Sequence, residues 1–278
     1  MLYSLFSRVF TQESKAKEKK EDEKSEKTEK TEESNKIATS TLDAEEAQRD
    51  WGYDLYPERR GDKYQPSMGG MLWFGDKNSS IDKLKCEQNV YSCAKNSPLI
   101  KLMMGALKSS GCEIDLRRHI SCEYCDPSVT GGYDPLLNQV VICQNVAKEL
   151  GIVQGVLAHE MVHMFDYCRH KLDFKNLKHL ACTEIRAANL TNCSFMSAFV
   201  QGDASPFNIK QAHQNCVRTK AIASVKAVRN VTDEQAAEAV DSVFEKCYND
   251  LEPIGRRMRR NSYDMHRAYY EGHRYGYS

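Results

Sequence analysis

The amino-acid sequence predicts an α+β protein with a small sheet among helices. Segments with apolar residues at helical spacing flank the central region, and two short runs between them have the composition of strands. With 278 residues the chain is long enough for one domain plus extensions. We expect a disordered charged region at 1–45, an irregular extension at 46–80 rich in aromatic residues and glycine, the domain at 81–255, and a basic, tyrosine-rich tail at 256–278.

The N-terminal predictions come from composition. Residues 11–36 are nearly all Lys, Glu, Asp, Ser and Thr, which is too polar for a core, so we expect disorder, with a solvated helix as the alternative. Residues 1–10, MLYSLFSRVF, are typical of either a remnant targeting signal or a frayed terminus. Residues 51–80 have no sustained period, and we interpret them as an extension that packs on the domain or touches a partner.

Periodicity and end signals define the elements of the domain. The predicted helices are 81–96, 98–111, 209–229 and 233–249, with Pro98 and Thr232 as start signals and Gly111 as a stop signal. Residues 113–125 and 138–145 are predicted to be short strands separated by a turn at Gly131 and Gly132.

The stretch GVLAHEMVHMFDYCRH at 155–170 contains the pattern H-E-x-x-H. Residues four apart lie on one face of a helix, so His159 and His163 can present two imidazoles to one ion. Glu160 follows the first histidine, where its carboxylate serves as a general base rather than as a ligand. We therefore predict a helix that binds one zinc ion. A chance match on an amphipathic helix is the alternative.

A catalytic zinc site normally has three protein ligands and one open position. We favour Glu184 as the third, because the 21 positions after His163 allow a second helix to return a carboxylate to the metal. Asp166 is the competing carboxylate, and we expect it instead to orient an imidazole from outside the ligand set. His170 and His179 are further alternatives, each expected to be an exposed residue of the connecting loop.

Several blocks, in order, carry a wider resemblance: SCEYCDPSVTGGYDPLLNQVVICQN, LAHEMVHMFDYCRH, HLACTEIRAANLTNCS, AHQNCVRTKAIASVKAVRN and VFEKCYNDLEPIGR. Over roughly residues 81–255 the chain resembles the mitochondrial inner-membrane metallopeptidase family that processes ATP synthase subunit 6 and assists assembly of the synthase. By position, His159 and His163 match the family's zinc ligands and Glu160 its catalytic residue. The ligand role of Glu184 is inferred from spacing. Together these features indicate a zincin-like domain.

The resemblance implies a peptidase on the intermembrane-space face of the inner membrane, with ATP synthase subunit 6 and its assembly intermediates as partners. A chaperone-like assembly factor with a non-essential zinc site is the alternative. Glu160 favours hydrolysis, because a structural zinc site has no use for a general base. The 39 basic and 39 acidic residues give no nucleic-acid signature, so we expect no nucleic-acid partner. No run of 18 apolar residues occurs, so we expect no membrane span.

Peptide hydrolysis at such a site needs further groups. Glu160 is expected to take a proton from water and deliver it to the leaving amine. An oxyanion stabiliser is also required, and His213, Tyr133 and Arg186 are equal candidates. An extended substrate could add to an edge strand, for which Gln139–Cys143 is our candidate, with a core strand as the alternative.

Eleven cysteines are many for a chain kept in a reducing compartment. Cys122 and Cys125 form the one CxxC pair, which cannot complete a four-cysteine zinc site, so disulfides are the better account. Cys86 and Cys93 share a helical face and could pair with another element. The odd count leaves at least one thiol free or paired between chains.

The C-terminal stretch combines arginines with tyrosines: Arg256, Arg257, Arg259, Arg260, Arg267 and Arg274 with Tyr263, Tyr269, Tyr270, Tyr275 and Tyr277. Arginines attract anionic head groups, and tyrosines suit the interface between water and lipid. We expect this tail to hold the protein peripherally on the inner membrane. A solvated or core-wrapping tail is the alternative, because Asp264 and Glu271 dilute the charge.

Overall fold

The structure is a computed structural model that describes residues 55–61, 79–193, 208–259 and 262–277. The disordered region expected at 1–45, with its segments 1–10 and 11–36, lies outside the described residues. Most of the extension expected at 46–80 lies outside them as well. Arg260 of the predicted tail is also outside this part of the chain.

The described chain is rich in helix and contains one small sheet, as an α+β protein should. The helices are α1 (Ser79–Asn96), α2 (Pro98–Ser109), α3 (Leu116–His119), α4 (Leu150–Arg169), α5 (Leu177–Ala187), α6 (Ile209–Val228), α7 (Asp233–Asn249) and α8 (Asp264–Gly272). The strands are β1 (Ile120–Glu123), β2 (Gly131–Asp134) and β3 (Gln139–Cys143). The four helices predicted from end signals are confirmed. For example, the Thr232 hydroxyl accepts from the Gln235 amide in a capping box at the start of α7.

Among the described residues the sheet has three strands, in the order β1-β3-β2, rather than the two strands that were predicted. β3 pairs parallel with β1 and antiparallel with β2, so Gln139–Cys143 is the central strand and its expected edge position is wrong. Its side chains are buried on both faces, as a central strand requires: Val140 and Ile142 enter the main core, and Val141 packs on the opposite face. Among the described strands, β1 and β2 are the two edges, and β2 is the edge that contacts the helix carrying H-E-x-x-H.

The turn predicted at Gly131 and Gly132 is also wrong, because both residues belong to β2. A Cβ on Gly131 would collide with Val156 of α4, and a Cβ on Gly132 would collide with the Tyr56 hydroxyl. These glycines therefore permit close approach from the two faces of the strand rather than a chain reversal.

The first predicted strand is shorter than expected. Residues 116–119 form the helical turn α3, which the Asp115 side chain caps by accepting from the Arg117 amide. β1 is consequently confined to Ile120–Glu123.

Two buried clusters flank the helix that carries H-E-x-x-H. The main core packs α1, α2, α4 and α8 against one face of the sheet, and the second core packs α5, α6 and α7 together. α4 contacts α1, α2, β2, β3 and α5. It therefore lies where the two cores meet, in contact with the edge strand β2.

Extensive disulfide pairing is confirmed. The pairs are Cys86–Cys122, Cys112–Cys168, Cys125–Cys143, Cys182–Cys247 and Cys193–Cys216. Cys93 is free and buried, which accounts for the odd count. Cys122 and Cys125 join different partners, so the CxxC pair is not a zinc site. Cys182 links α5 to α7, and the bond from Cys193 ties the end of the α5 segment to α6.

The described part of the chain after Gly255 is not a separate tail, because it packs on the domain. Ala268 of α8 and Tyr277 are buried in the main core, and α8 packs on α2. Arg256 pairs with Glu271. The core-wrapping alternative therefore describes residues 262–277, and contact with a membrane stays a prediction. Among the described residues, no helix is both long and apolar enough to cross a membrane.

Candidate active site and metal centre

The H-E-x-x-H pattern lies in the middle of α4, and α5 returns beside it. His159 Nε2 lies 3.6 Å from one carboxylate oxygen of Glu184, and His163 Nε2 lies 3.5 Å from the other. His163 and Glu184 are buried, while His159 is partly exposed to the cleft described below. α5 holds Glu184 in place because Asn176 caps the start of that helix and a disulfide joins it to α7.

The three side chains have the donor set and spacing of a zinc site. Their ligand atoms all lie within 4.8 Å of one another. Two ligands about 2.1 Å from a tetrahedral ion are roughly 3.4 Å apart, close to the histidine-to-glutamate separations. Glu184 Oε2 is also buried without a hydrogen-bond partner among the described residues, which is costly unless a cation meets it. Two imidazoles and one carboxylate therefore fit one metal ion, and their spacing is compatible with zinc.

A hydrogen-bond chain fixes the orientation of His163. The Thr183 hydroxyl donates to Asp166 Oδ2 at 2.7 Å, so its oxygen is left to accept from His163 Nδ1, 2.9 Å away. His163 then carries its proton on Nδ1 and directs the Nε2 lone pair at Glu184. Arg186 Nε donates to both Asp166 oxygens, at 3.1 and 3.0 Å. Asp166 thus acts on the imidazole through Thr183, whose part the sequence analysis missed.

His159 has a separate partner at its outer nitrogen. Asn192 Oδ1 lies 3.2 Å from His159 Nδ1, and an amide oxygen can only accept, so Nδ1 carries the proton here as well. Asn192 belongs to the π-helical turn Ala188–Asn192 that follows α5. Asn192 was not predicted from the sequence either, although it lies within the block that contains Glu184. Both imidazoles therefore present Nε2 to the metal position.

Glu160 lies beside this group without belonging to it. It is buried and lines the cleft. Burial raises the pKa of the Glu160 carboxyl to about 7 in the metal-free protein, against the attraction of His159. Burial also lowers the pKa of His163 to about 4, whereas the carboxylates of Glu160 and Glu184 overcome burial and raise the pKa of His159 to about 9. The site thus holds a proton acceptor poised near neutral pH.

The cleft over the site has a volume of about 1010 Å³ and is lined by β2, α4, α5 and α6. Tyr56 also lines it, a residue that the sequence analysis did not single out. Its hydroxyl donates to the Gly131 carbonyl at 2.7 Å. Burial and the carboxylates of Glu160 and Glu184 raise the Tyr56 pKa far above its ordinary value, so the hydroxyl stays protonated.

The oxyanion candidates fall in different places. Tyr133 lines the cleft, and its hydroxyl donates to Asn138 Oδ1 at 2.8 Å. His213 is buried between the Tyr248 hydroxyl and the Cys193 carbonyl, at 2.9 and 3.1 Å.

Arg186, the third candidate, is held by its ion pairs with Asp166 and Asp250. Neither His213 nor Arg186 is among the cleft-lining residues. His170 and His179, the alternative ligands, are exposed and do not join the ligand group. Of these candidates, Tyr133 is therefore the one that the structure brings to the cleft.

Comparison with known proteins gives a consistent result. The chain is 41% identical over 232 residues to the mitochondrial inner membrane protease ATP23 homolog of Danio rerio, covering 82% of this chain and 87% of that relative. It is 40% identical over 211 residues to the Homo sapiens homolog, covering 75% of this chain and 82% of that one. The Yarrowia lipolytica protease of the same name is 36% identical over 180 residues, covering 64% and 70%.

No solved structure matches the chain. The model of the Peptidase M76 family matches residues 84–255, almost the range in which the resemblance was seen in the sequence. This match spans more than half of the 278 residues, and it includes α4 and α5 with all three candidate ligands. The chain therefore belongs to the Peptidase M76 family.

Proposed function

We propose that this chain is a zinc-dependent metalloendopeptidase with a zincin-like catalytic domain. His159, His163 and Glu184 would hold one zinc ion, and Glu160 would be the general base. The observation that carries the proposal is the position of Glu160, which is buried in the cleft directly beside the ligand group. A site built only to stabilise the fold would place no free carboxylate there.

Each residue of the site has a separate role in peptide hydrolysis. Zinc, when bound, supplies a Lewis acid that polarises a peptide carbonyl and makes water acidic enough to lose a proton near pH 7. Glu160, with its pKa raised to about 7 by burial, accepts that proton and passes it to the leaving amine. Thr183 and Asn192 keep both imidazoles in the tautomer that exposes Nε2. The cleft admits an extended chain along β2.

The place of action and the substrate are also part of the proposal. The relatives from fish, human and yeast are named as mitochondrial inner membrane proteases, which supports the same membrane for this chain. Five disulfides suit the oxidising intermembrane space. We propose peripheral attachment on that side, cleavage of the ATP synthase subunit 6 precursor where a prosequence exists, and assistance with assembly of the F0 part.

The decisive experiment is Glu160→Gln in purified, zinc-loaded protein. We expect hydrolysis of the subunit 6 precursor to fall by about 10²- to 10⁴-fold, the usual contribution of a general base, while zinc content and thermal unfolding stay unchanged. Glu149→Gln is the matched control, because Glu149 lines the same cleft but is exposed.

Retained hydrolysis in Glu160→Gln would overturn the assignment of the base. If the variant lost hydrolysis yet still supported ATP synthase assembly in mitochondria, the assembly function would be independent of proteolysis. That result would favour the chaperone-like alternative for the assembly step alone.

A further inference from the structure

Along the outer edge of β2, where no described strand pairs, the main chain directs a defined set of groups outward. The Cys143 amide donates to the Thr130 carbonyl at 3.0 Å, and Gly131 pairs in register with Ile142. In an antiparallel ladder, alternate residues face the partner strand, so Gly131 and Tyr133 direct their amides and carbonyls away from the sheet. These groups are the ones that an added peptide strand would bond.

One of these outward-pointing groups already accepts a hydrogen bond from a side chain of the same chain. The Tyr56 hydroxyl donates to the Gly131 carbonyl at 2.7 Å, across the position where any residue other than glycine at 132 would place its Cβ. Gly132 therefore creates the space for the hydroxyl. No described residue donates a hydrogen bond to the Tyr133 carbonyl. The two outward-pointing carbonyls of this edge therefore differ, because only that of Gly131 is already hydrogen-bonded.

Tyr56 is not carried by a loose segment. The Leu55 carbonyl accepts from the Asp126 amide at 2.8 Å, and the Glu58 carboxylate accepts from the Tyr124 amide at 3.0 Å. These bonds fasten the segment on both sides of Tyr56.

Arg59 adds a stronger attachment to the sheet. Its guanidinium pairs with Asp134 and, at 2.8 Å, with Glu123, and the arginine side chain is only 6% exposed. Nη2 also donates to the Gln139 side chain at 2.9 Å. The segment 55–61 is thus a fixed wall of the cleft, and its tyrosine is a permanent feature of the substrate edge.

We propose that Tyr56 is a specificity-determining residue that ends the substrate-binding edge of β2 at Gly131. A peptide strand bonds both the amide and the carbonyl of Tyr133, but the Gly131 carbonyl already accepts from the Tyr56 hydroxyl. Because one lone pair of that oxygen is already satisfied, a backbone N–H donor at the substrate position opposite Gly131 adds little to binding, and substrates need no such donor there. This inference rests on the proposed peptidase function, because it assumes that β2 binds a peptide.

The test is a scan of backbone N-methylation, since an N-methyl amide cannot donate a hydrogen bond. The probe is a fluorescein-labelled peptide that covers the prosequence junction of the subunit 6 precursor. Its binding is measured by fluorescence anisotropy to zinc-loaded protein carrying Glu160→Gln, so that the peptide is not consumed. In this protein we expect methylation at the position facing the Tyr133 carbonyl to weaken binding and methylation two residues away, facing Gly131, to have no effect.

Tyr56→Phe, added to the same background, removes the hydroxyl and leaves the ring. It should bind the unmodified probe about 2- to 10-fold more tightly, the range of one hydrogen bond, and make the position facing Gly131 sensitive to methylation. Tyr91→Phe is the matched control, because it removes the hydroxyl of an exposed tyrosine that does not line the cleft. It should leave the methylation pattern unchanged.

The inference would be overturned if the effects of N-methylation were identical with and without the Tyr56 hydroxyl. It would also be overturned if methylation at both positions, tested one at a time, weakened binding to the protein that contains Tyr56. A probe that binds none of the variants would overturn it too. In protein with Glu160 intact, Tyr56→Phe should lower KM and leave kcat unchanged. An equal fall of kcat on every peptide would show instead that the hydroxyl takes part in the chemistry. Binding without hydrolysis in the unaltered chain would contradict the proposed function only.

Discussion

Replacing Thr183 by valine should weaken zinc binding although all three ligands remain. Valine has nearly the shape of threonine, so the substitution removes the hydroxyl and little else. The hydroxyl holds His163 Nδ1 at 2.9 Å and Asp166 Oδ2 at 2.7 Å, and Thr183 is fully buried. Without it, the Nδ1 proton of His163 has lost its acceptor, and the ring is free to adopt the tautomer that turns a proton toward the metal.

The size of the effect follows from burial. A buried donor left without a partner costs about 1–3 kcal/mol. At about 1.4 kcal/mol for each factor of ten, zinc affinity should fall by roughly 5- to 150-fold, in line with the loss of an outer partner of a metal-bound histidine. Asp166 keeps its bonds from Arg186, so the carboxylate itself stays satisfied and the fold should persist.

The assay is competition for zinc with a chromogenic chelator, alongside thermal unfolding of the metal-free protein. Thr183→Ser supplies the control, because it restores the hydroxyl and should recover most of the affinity. Asp166→Asn should lower peptidase activity about 10- to 100-fold with zinc still bound. Unchanged zinc affinity in Thr183→Val, or a serine variant that binds zinc no better than the valine variant, would refute the role of the Thr183 hydroxyl.

Other residues give further expected outcomes. Glu184→Ala removes a ligand and should weaken zinc binding on the order of 100-fold or more, so an unchanged metal titration would contradict its role. Asp264→Asn should lower the free energy of unfolding at pH 7 by about 1–3 kcal/mol. Arginine hydrogen bonds hold the pKa of the Asp264 carboxyl below its ordinary value. The stabilisation by the Asp264 carboxylate is therefore present above about pH 4 and lost as the pH falls further. Urea unfolding should show a smaller difference in the free energy of unfolding between the variant and the unaltered chain at pH 3 than at pH 7. Alkylation of the unreduced, denatured protein followed by mass spectrometry should modify Cys93 alone. Arg267→Gln with Arg274→Gln should weaken binding to cardiolipin-containing vesicles at low salt without changing hydrolysis of a soluble peptide, and equal vesicle binding would refute the role of the tail.

The parts of the site that could be predicted are those whose geometry is local. His159 and His163 share a face because a helix repeats every 3.6 residues, whatever surrounds it. Helix boundaries such as Thr232 were predictable for the same reason, because a cap is made by residues within one turn. Glu184 needed only the assumption that a second helix folds back, and α5 does so.

The parts that could not be predicted depend on pairings between distant segments. Strand order is one of them: β2 and β3 are each short, and nothing local in Gln139–Cys143 indicates whether one or two strands lie beside it. Gly131 and Gly132 illustrate the difficulty, because a glycine pair predicts a turn equally well as a site of close approach. The structure shows close approach, because Val156 and Tyr56, which are remote in sequence, lie where side chains on Gly131 and Gly132 would be.

Tyr56 shows what a domain boundary drawn from composition can miss. The segment around it is irregular, and it precedes the range that the family model matches, which begins at residue 84. Yet the Tyr56 hydroxyl bonds a strand 75 positions later, and Arg59 pairs with Glu123 and Asp134 on both outer strands of the sheet. A catalytic domain cut at residue 81 would retain every predicted zinc ligand and its base. It would lose one wall of the cleft and the ion pairs that Arg59 makes with two buried carboxylates, so it should be less stable and less selective than the chain that includes residues 55–61.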